Sequence, residues 1–215
     1  LFSSMLVSSV SAMLIGLQMR AGQRAAQSHT LGLYLAQNKV GTMLTYQVRK
    51  TARAHMKKDD YLLEKDVSAL EFLPTSLRND LRFVIYKIHL HKHRLFTLIE
   101  SLHLGTAREL CCNCVEIVVT LPDEDVFMPG GSGDRAYHVV KGELQYFQDP
   151  SFSPVLSFQS EKVTVGTWAC EAALWVHWIH VGRLAATSQC NLLVVEATAL
   201  MRTLQRHRLV QQGRL

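Results

Sequence analysis

The first 58 residues contain no Asp or Glu, and their opening stretch, Leu1 to Leu17, carries no charge of either sign. An uncharged run of Leu, Val, Met, Ile, Ala, Gly and Ser has to bury itself, in a bilayer or in a protein core. It is about three residues short of the roughly 20 that cross a bilayer, so it reads as the end of a spanning helix whose start lies upstream of Leu1. Eight basic residues follow between Gln18 and Lys58: Arg20, Arg24, Lys39, Arg49, Lys50, Arg53, Lys57 and Lys58. By the positive-inside rule they place the rest of the chain in the cytoplasm. A signal peptide would carry its basic residues before the apolar run, and here they come after it. A buried core helix or an ordinary amphipathic one is the remaining structural alternative. Ser3, Ser4, Ser8, Ser9 and Ser11 suit a helix packed against protein or lining a pore.

The 215 residues suffice for one domain with attached elements. The net charge of +5 is confined to the basic run, and the remainder is slightly acidic. A nucleic-acid protein would more often spread its cations over a folded face with aromatic groups among them, so no nucleic-acid partner is expected. The five cysteines, Cys111, Cys112, Cys114, Cys170 and Cys190, are an odd number without regular spacing and read as reduced cytosolic thiols.

From Gln23 to about Lys58 the apolar positions recur at helical steps, with a break near Asn38 to Gly41, which predicts two helices. Asp59 and Asp60 are expected to cap a third over Tyr61 to Leu70. Pro74, Thr75 and Ser76 open a fourth, with Leu77, Leu81, Val84, Ile85 and Ile88 as its buried stripe. A further helix is expected over Leu98 to Cys111. The texture then alternates, predicting strands at Val115 to Leu121, Asp125 to Met128, Ala136 to Val140, Glu143 to Phe147, Val155 to Phe158 and Leu192 to Val195. Lys141 and Gly142 make a tight turn, and a helix from Ala197 to about Arg208 closes the chain. Helices, then short strands, then a helix make an α+β fold around a small antiparallel roll, jelly-roll-like, with flanking helices.

Leu73, Pro74, Leu77, Arg78, Leu81, Tyr86, Leu90, His93, Leu95 and Phe96 resemble the "LPxxLRxxL…Y…L…HxLF" run of one channel superfamily. Gly130, Gly133, Tyr137, Val139, Gly142 and Glu143 resemble its "G…G…Y.I..G.v" β-roll pattern. That superfamily comprises the cyclic-nucleotide-gated, hyperpolarisation-activated and ether-à-go-go voltage-gated cation channels, and the resemblance covers nearly the whole chain. It implies three segments: residues 1–19 as the end of the last transmembrane helix, 20–97 as a helical C-linker, and 98–210 as a cyclic-nucleotide-binding-like domain. It also implies a potassium or mixed-cation channel subunit, multi-pass in full, with this segment mostly cytoplasmic. The subunit would assemble as a homo- or heterotetramer through the C-linker, with the membrane as partner. The basic run suits an anionic-lipid contact.

In that family a short helix presents backbone amides to the cyclic phosphate, an Arg neutralises it and a Glu holds the ribose. Glu171, followed by Ala172, stands where that Glu would be, and Cys170 replaces the preceding Gly. The Arg and the small residue after it fall on His180 and Val181. A neutral His and a Val forfeit a bond worth about 1.5–3 kcal/mol, about ten- to a hundredfold in affinity. Arg183 would substitute if the loop shifted by three residues. Cyclic AMP and cyclic GMP are therefore expected to bind poorly or not at all, leaving no cofactor. The alternating His89, His91 and His93 point in different directions on a helix or loop, with no carboxylate or Cys nearby in sequence, and Cys111, Cys112 and Cys114 lack the CxxC spacing, so no zinc site is expected. Trp168, Trp175 and Trp178 are expected in the core, with the ligand pocket or a neighbouring subunit as the alternatives. Nothing resembles a catalytic constellation, so no enzyme is expected. The alternative reading is a soluble cyclic-nucleotide-binding module of the kinase-regulatory or transcription-factor type.

Overall fold

The computed structural model describes Gly22, residues 25–56 and residues 61–212. The apolar segment assigned to a membrane helix, residues 1–19, lies outside them. Among the described residues no helix is long and apolar enough to cross a membrane. The chain forms two compact units that divide between Asp59 and Asp60.

The first unit is a helix pair, α1 (25–37) and α2 (Thr42–Met56), broken where the sequence predicts. Lys39 takes a left-handed conformation (φ 49°), its N–H donates to Ala36 O at 3.1 Å, and the Val40 N–H donates to Leu35 O at 3.1 Å. These two bonds satisfy carbonyls that the end of α1 would otherwise leave bare.

In the second unit the predicted helix over Tyr61 to Leu70 is replaced by two 3-10 turns, Glu64–Asp66 and Ser68–Phe72. The local bonds differ from helical ones. The Asp66 carboxylate accepts the Leu63 N–H at 3.0 Å, and the Arg78 guanidinium takes up the Leu70 and Glu71 carbonyls. Helix α3 (Thr75–Leu90) starts where expected, but its buried face is Phe83, Tyr86 and Leu90. Leu77, Val84, Ile85 and Ile88 are exposed and Leu81 is half-buried, correcting the predicted stripe. Phe83, Tyr86 and Leu90 join the core cluster with Leu110 and Cys111, and that face sets the rotation of the helix.

The helix predicted over Leu98 to Cys111 is in fact two, α4 (Arg94–Leu102) and α5 (Leu104–Asn113). Between them His103 is extended (φ −158°), and its Nδ1 accepts the Thr106 N–H at 3.0 Å. Glu100 bonds both Lys87 and His91, fastening α4 to α3.

Among the described residues ten strands follow: β1 (Val115–Thr120), β2 (Asp125–Phe127), β3 (Ser132–Gly133), β4 (Arg135–Lys141), β5 (Leu144–Gln148), β6 (Gln159–Val163), β7 (Trp168–Ala169), β8 (Trp178–Ile179), β9 (Arg183–Ala186) and β10 (Cys190–Glu196). They form two four-stranded antiparallel sheets, β1-β10-β4-β7 and β2-β9-β5-β6, and a two-stranded ribbon, β3-β8. Helix α6 (Ala197–Gln212) ends the described chain. The antiparallel roll and the α+β arrangement agree with the sequence.

The strand predicted over Val155 to Phe158 is absent, and β6 begins one residue later. As the edge of its sheet β6 is mostly exposed, so it carries no apolar signature.

β10 explains how the layers meet. Its Leu193 and Val195 pack under the helices with Leu90, Phe96, Leu110 and Leu200, whereas Leu192 and Val194 pack between the sheets with Val139, Leu144 and Leu184. A strand covered on both faces is read as a continuous apolar run, and CNLLVV is one. β4 alternates likewise. Tyr137 and Val139 face the inter-sheet core, and Ala136 faces the helices.

Candidate functional site

The site expected from the sequence lies between β7 and β9. Gly166 (φ 92°) turns the chain into β7, and Cys170 then heads a 3-10 turn, Glu171–Leu174. Cys170 is left-handed (φ 59°, ψ 31°), a conformation that favours Gly and costs other residues about 1 kcal/mol or more. The backbone thus keeps the shape of a glycine turn although the residue is Cys.

Across the site the β3-β8 ribbon pairs Ser132 with Ile179 and Gly133 with Trp178. The Gly130 N–H donates to His180 O at 2.7 Å, and the His180 N–H donates to Gly131 O at 2.9 Å. A Cβ on Gly133 would stand 2.7 Å from Trp178 Cδ1 and 3.2 Å from His180 Cε1. Here glycine is required because two rings lie directly against the backbone.

His180 is 6 % exposed, and its ring stacks on Phe127 at 3.9 Å and 9°. Its Nδ1 lies 3.5 Å from Cys170 Sγ. Phe127 in turn meets Tyr137 and Tyr146 at centroid distances of 6.0 and 6.3 Å. Burial pushes the Cys170 thiol up to about 12 and lowers His180 against the weaker pull of Asp134. Both groups are therefore neutral at neutral pH. The turn that would hold an anion is faced by the stacked His180 and Phe127 rings.

The other expected residues point elsewhere. The Glu171 carboxylate lies 3.5 Å from His93 Nε2, an ion pair when His93 is protonated. His93 also meets Trp168 edge-on at 5.0 Å, so Glu171 links the turn to the start of α4. The Ala172 carbonyl accepts the Trp175 and Val176 N–H groups at 3.0 Å. Val181 is half-buried between β8 and β9. Arg183 bonds Asp125 at 2.6 Å and lies over Phe147. This pair holds it against β2. The structure thus joins Cys170 and His180 and separates Glu171 and Arg183 from them.

The sequence gives no hint of Phe127, the partner of His180. Nor do the three tryptophans form one patch: Trp168 packs on Phe96, Trp178 covers Gly133, and Trp175 is 57 % exposed. His89, His91 and His93 likewise go to three places: against His138, to Glu100, and to Trp168 with Glu171.

The raised Cys170 thiol gives a direct expectation. At pH 7.5 its reaction with a disulfide reagent is at least about tenfold slower in the native chain than in denaturant, because the smaller thiolate fraction outweighs the greater nucleophilicity of a thiol of higher pKa. Mass-resolved labelling reads this, and equal rates would contradict the raised thiol of the half-buried Cys170.

No protein-family model matches the chain, and no curated protein matches it. Among solved structures, it is similar to a cyclic nucleotide-binding-like protein from Brucella abortus bv. 1 str. 9-941, with 22 % identity over 50 % of this chain and 90 % of that one, at a TM-score of 0.42.

Proposed function

We propose that this chain is the cytosolic gating region of a voltage-gated cation channel subunit, whose β-roll acts through fixed internal contacts and binds cyclic nucleotide weakly or not at all. The carrying observation is the occupied cassette: the His180 ring stacks on Phe127 and touches Cys170, where the sequence expects a phosphate and its Arg. Glu171, which would hold a ribose, instead reaches His93 at the start of α4. A shift of the turn is thereby transmitted to the helices without a ligand. Membrane attachment and assembly through residues 20–97 rest on the charge pattern and on the family resemblance.

The soluble regulatory module shares the roll and differs in its assembly. Sedimentation velocity of the 215-residue chain in a mild non-ionic detergent separates the two. The channel reading expects a tetramer, and a monomer would contradict it.

A further inference from the structure

Apart from the cassette, the second unit gathers polar groups where β4, β7 and the end of α3 meet. His138 on β4 stands directly opposite Trp168 on β7, with the two rings 4.9 Å apart at 30°. The His89 ring, from the last turn of α3, lies 5.9 Å from His138. His138 is fully buried, yet among the described residues neither of its nitrogens has a hydrogen-bond partner, and the buried Trp168 Nε1 and His89 Nδ1 have none either. The Thr167 carbonyl near His138 already accepts the Val139 N–H at 3.0 Å. An unbonded buried polar group costs about 1–3 kcal/mol, so four on three adjoining rings call for a guest that bonds them.

The chemistry of these atoms selects the guest. Trp168 Nε1 can only donate, and each imidazole can donate. Lys92, in the turn after α3, acts on His138 with positive charge, and His93 meets Trp168 edge-on at 5.0 Å while facing Glu171. Lys92 repels a cation here and attracts an anion. Rings packed this closely admit a monatomic ion more readily than a tetrahedral oxyanion. We infer that His138, Trp168 and His89 bind a small inorganic anion of the halide class, chloride above all, which enters together with a proton taken up by His138. The proton balances the charge of the anion, so that a hydrogen-bonded pair is buried and not a lone ion. The free ring is held neutral down to about pH 4 by burial, Lys92 and His89. Each pH unit on the way down to that value therefore tightens binding up to about tenfold. This site does not depend on whether the chain belongs to a channel or to a soluble module.

Thermal unfolding of the 215-residue chain in potassium chloride and in potassium gluconate of equal ionic strength tests the assignment, because gluconate is too large to enter. At pH 5 chloride is expected to raise the midpoint by about 4 °C or more over gluconate, and at pH 7.5 by less than about 1 °C. Trp168→Phe keeps a ring, removes the donor and loses at least about half of this increment, and His138→Leu loses all of it. Trp178→Phe retains it, which accounts for the action of chloride elsewhere on the chain. An equal increment in His138→Leu, or one that does not grow as pH falls, would overturn the assignment. So would the absence of any increment, the result if these nitrogens hold only a buried water.

Discussion

Replacing Gly142 by Val destabilises the chain by about 3 kcal/mol or more and lowers its melting temperature by about 10 °C. Two costs meet at this residue. Its φ of 95° lies where a side chain strains the backbone, and a Cβ there would stand 2.5 Å from Gln189 O and 2.7 Å from Cys190 Sγ. Neither neighbour can give way, because Cys190 is fully buried in β10 and its thiol donates to Glu143 O at 3.2 Å. Gly166 isolates the backbone share. Its φ is 92° with nothing within 4 Å, so Gly166→Ala costs only about 1 kcal/mol. Thermal denaturation of both variants checks the difference, and equal losses would show that no steric contact is made at Gly142.

Acid destabilises the second unit through His138. This ring is fully buried on β4, between Trp168 at 4.9 Å and His89 at 5.9 Å. Among the described residues neither of its nitrogens has a hydrogen-bond partner, and the Trp168 Nε1 and His89 Nδ1 beside it have none either. Burial lowers its pKa from 6.5 to about 4, the positive charge of Lys92 and the proximity of His89 push the same way, and the nearby Thr167 carbonyl opposes them weakly.

The folded state therefore holds His138 neutral, while the unfolded chain charges it below about 6.5. The stability it contributes is complete above that value and is lost as pH falls from about 6.5 towards 4, up to about 3 kcal/mol in all. His138→Leu removes the polar atoms and most of this slope, although His89 and His180, both lowered by burial, leave a residue of it. Chemical denaturation at pH 7.5, 6 and 4.5 distinguishes the two chains. Parallel pH profiles for wild type and variant would exclude His138 as the titrating group.

What was legible in the sequence follows from where each element is buried. β10 and the break at Asn38 to Gly41 announce themselves, one by an apolar run enclosed on both faces and the other by Asn and Gly at a helix end. β6 does not, because an edge strand has no buried face to mark. β3, β7 and β8 have two residues each, too few for any periodicity. The face of α3 was misread because Leu, Val and Ile at helical spacing outnumber Phe83 and Tyr86, although the two rings govern the packing. His103 caps α5 with a ring nitrogen, which a search for Ser, Thr, Asp or Asn passes over.

In the site, Cys170 and His180 are marked by the family pattern, and the structure brings them within 3.5 Å of each other. Phe127 is not, since its place against His180 depends on β2 pairing with β9, a long-range register that local spacing does not carry. The pairing of Arg183 with Asp125 is hidden for the same reason, because Asp125 lies on that strand.

The most direct measurement of the central claim is calorimetric titration of the 215-residue chain with cyclic AMP and with cyclic GMP. An aromatic stack in place of the phosphate-binding cation predicts no binding heat up to millimolar nucleotide. Saturable binding at micromolar concentration would show that His180 yields to a ligand, and would contradict a roll that works through its own internal contacts.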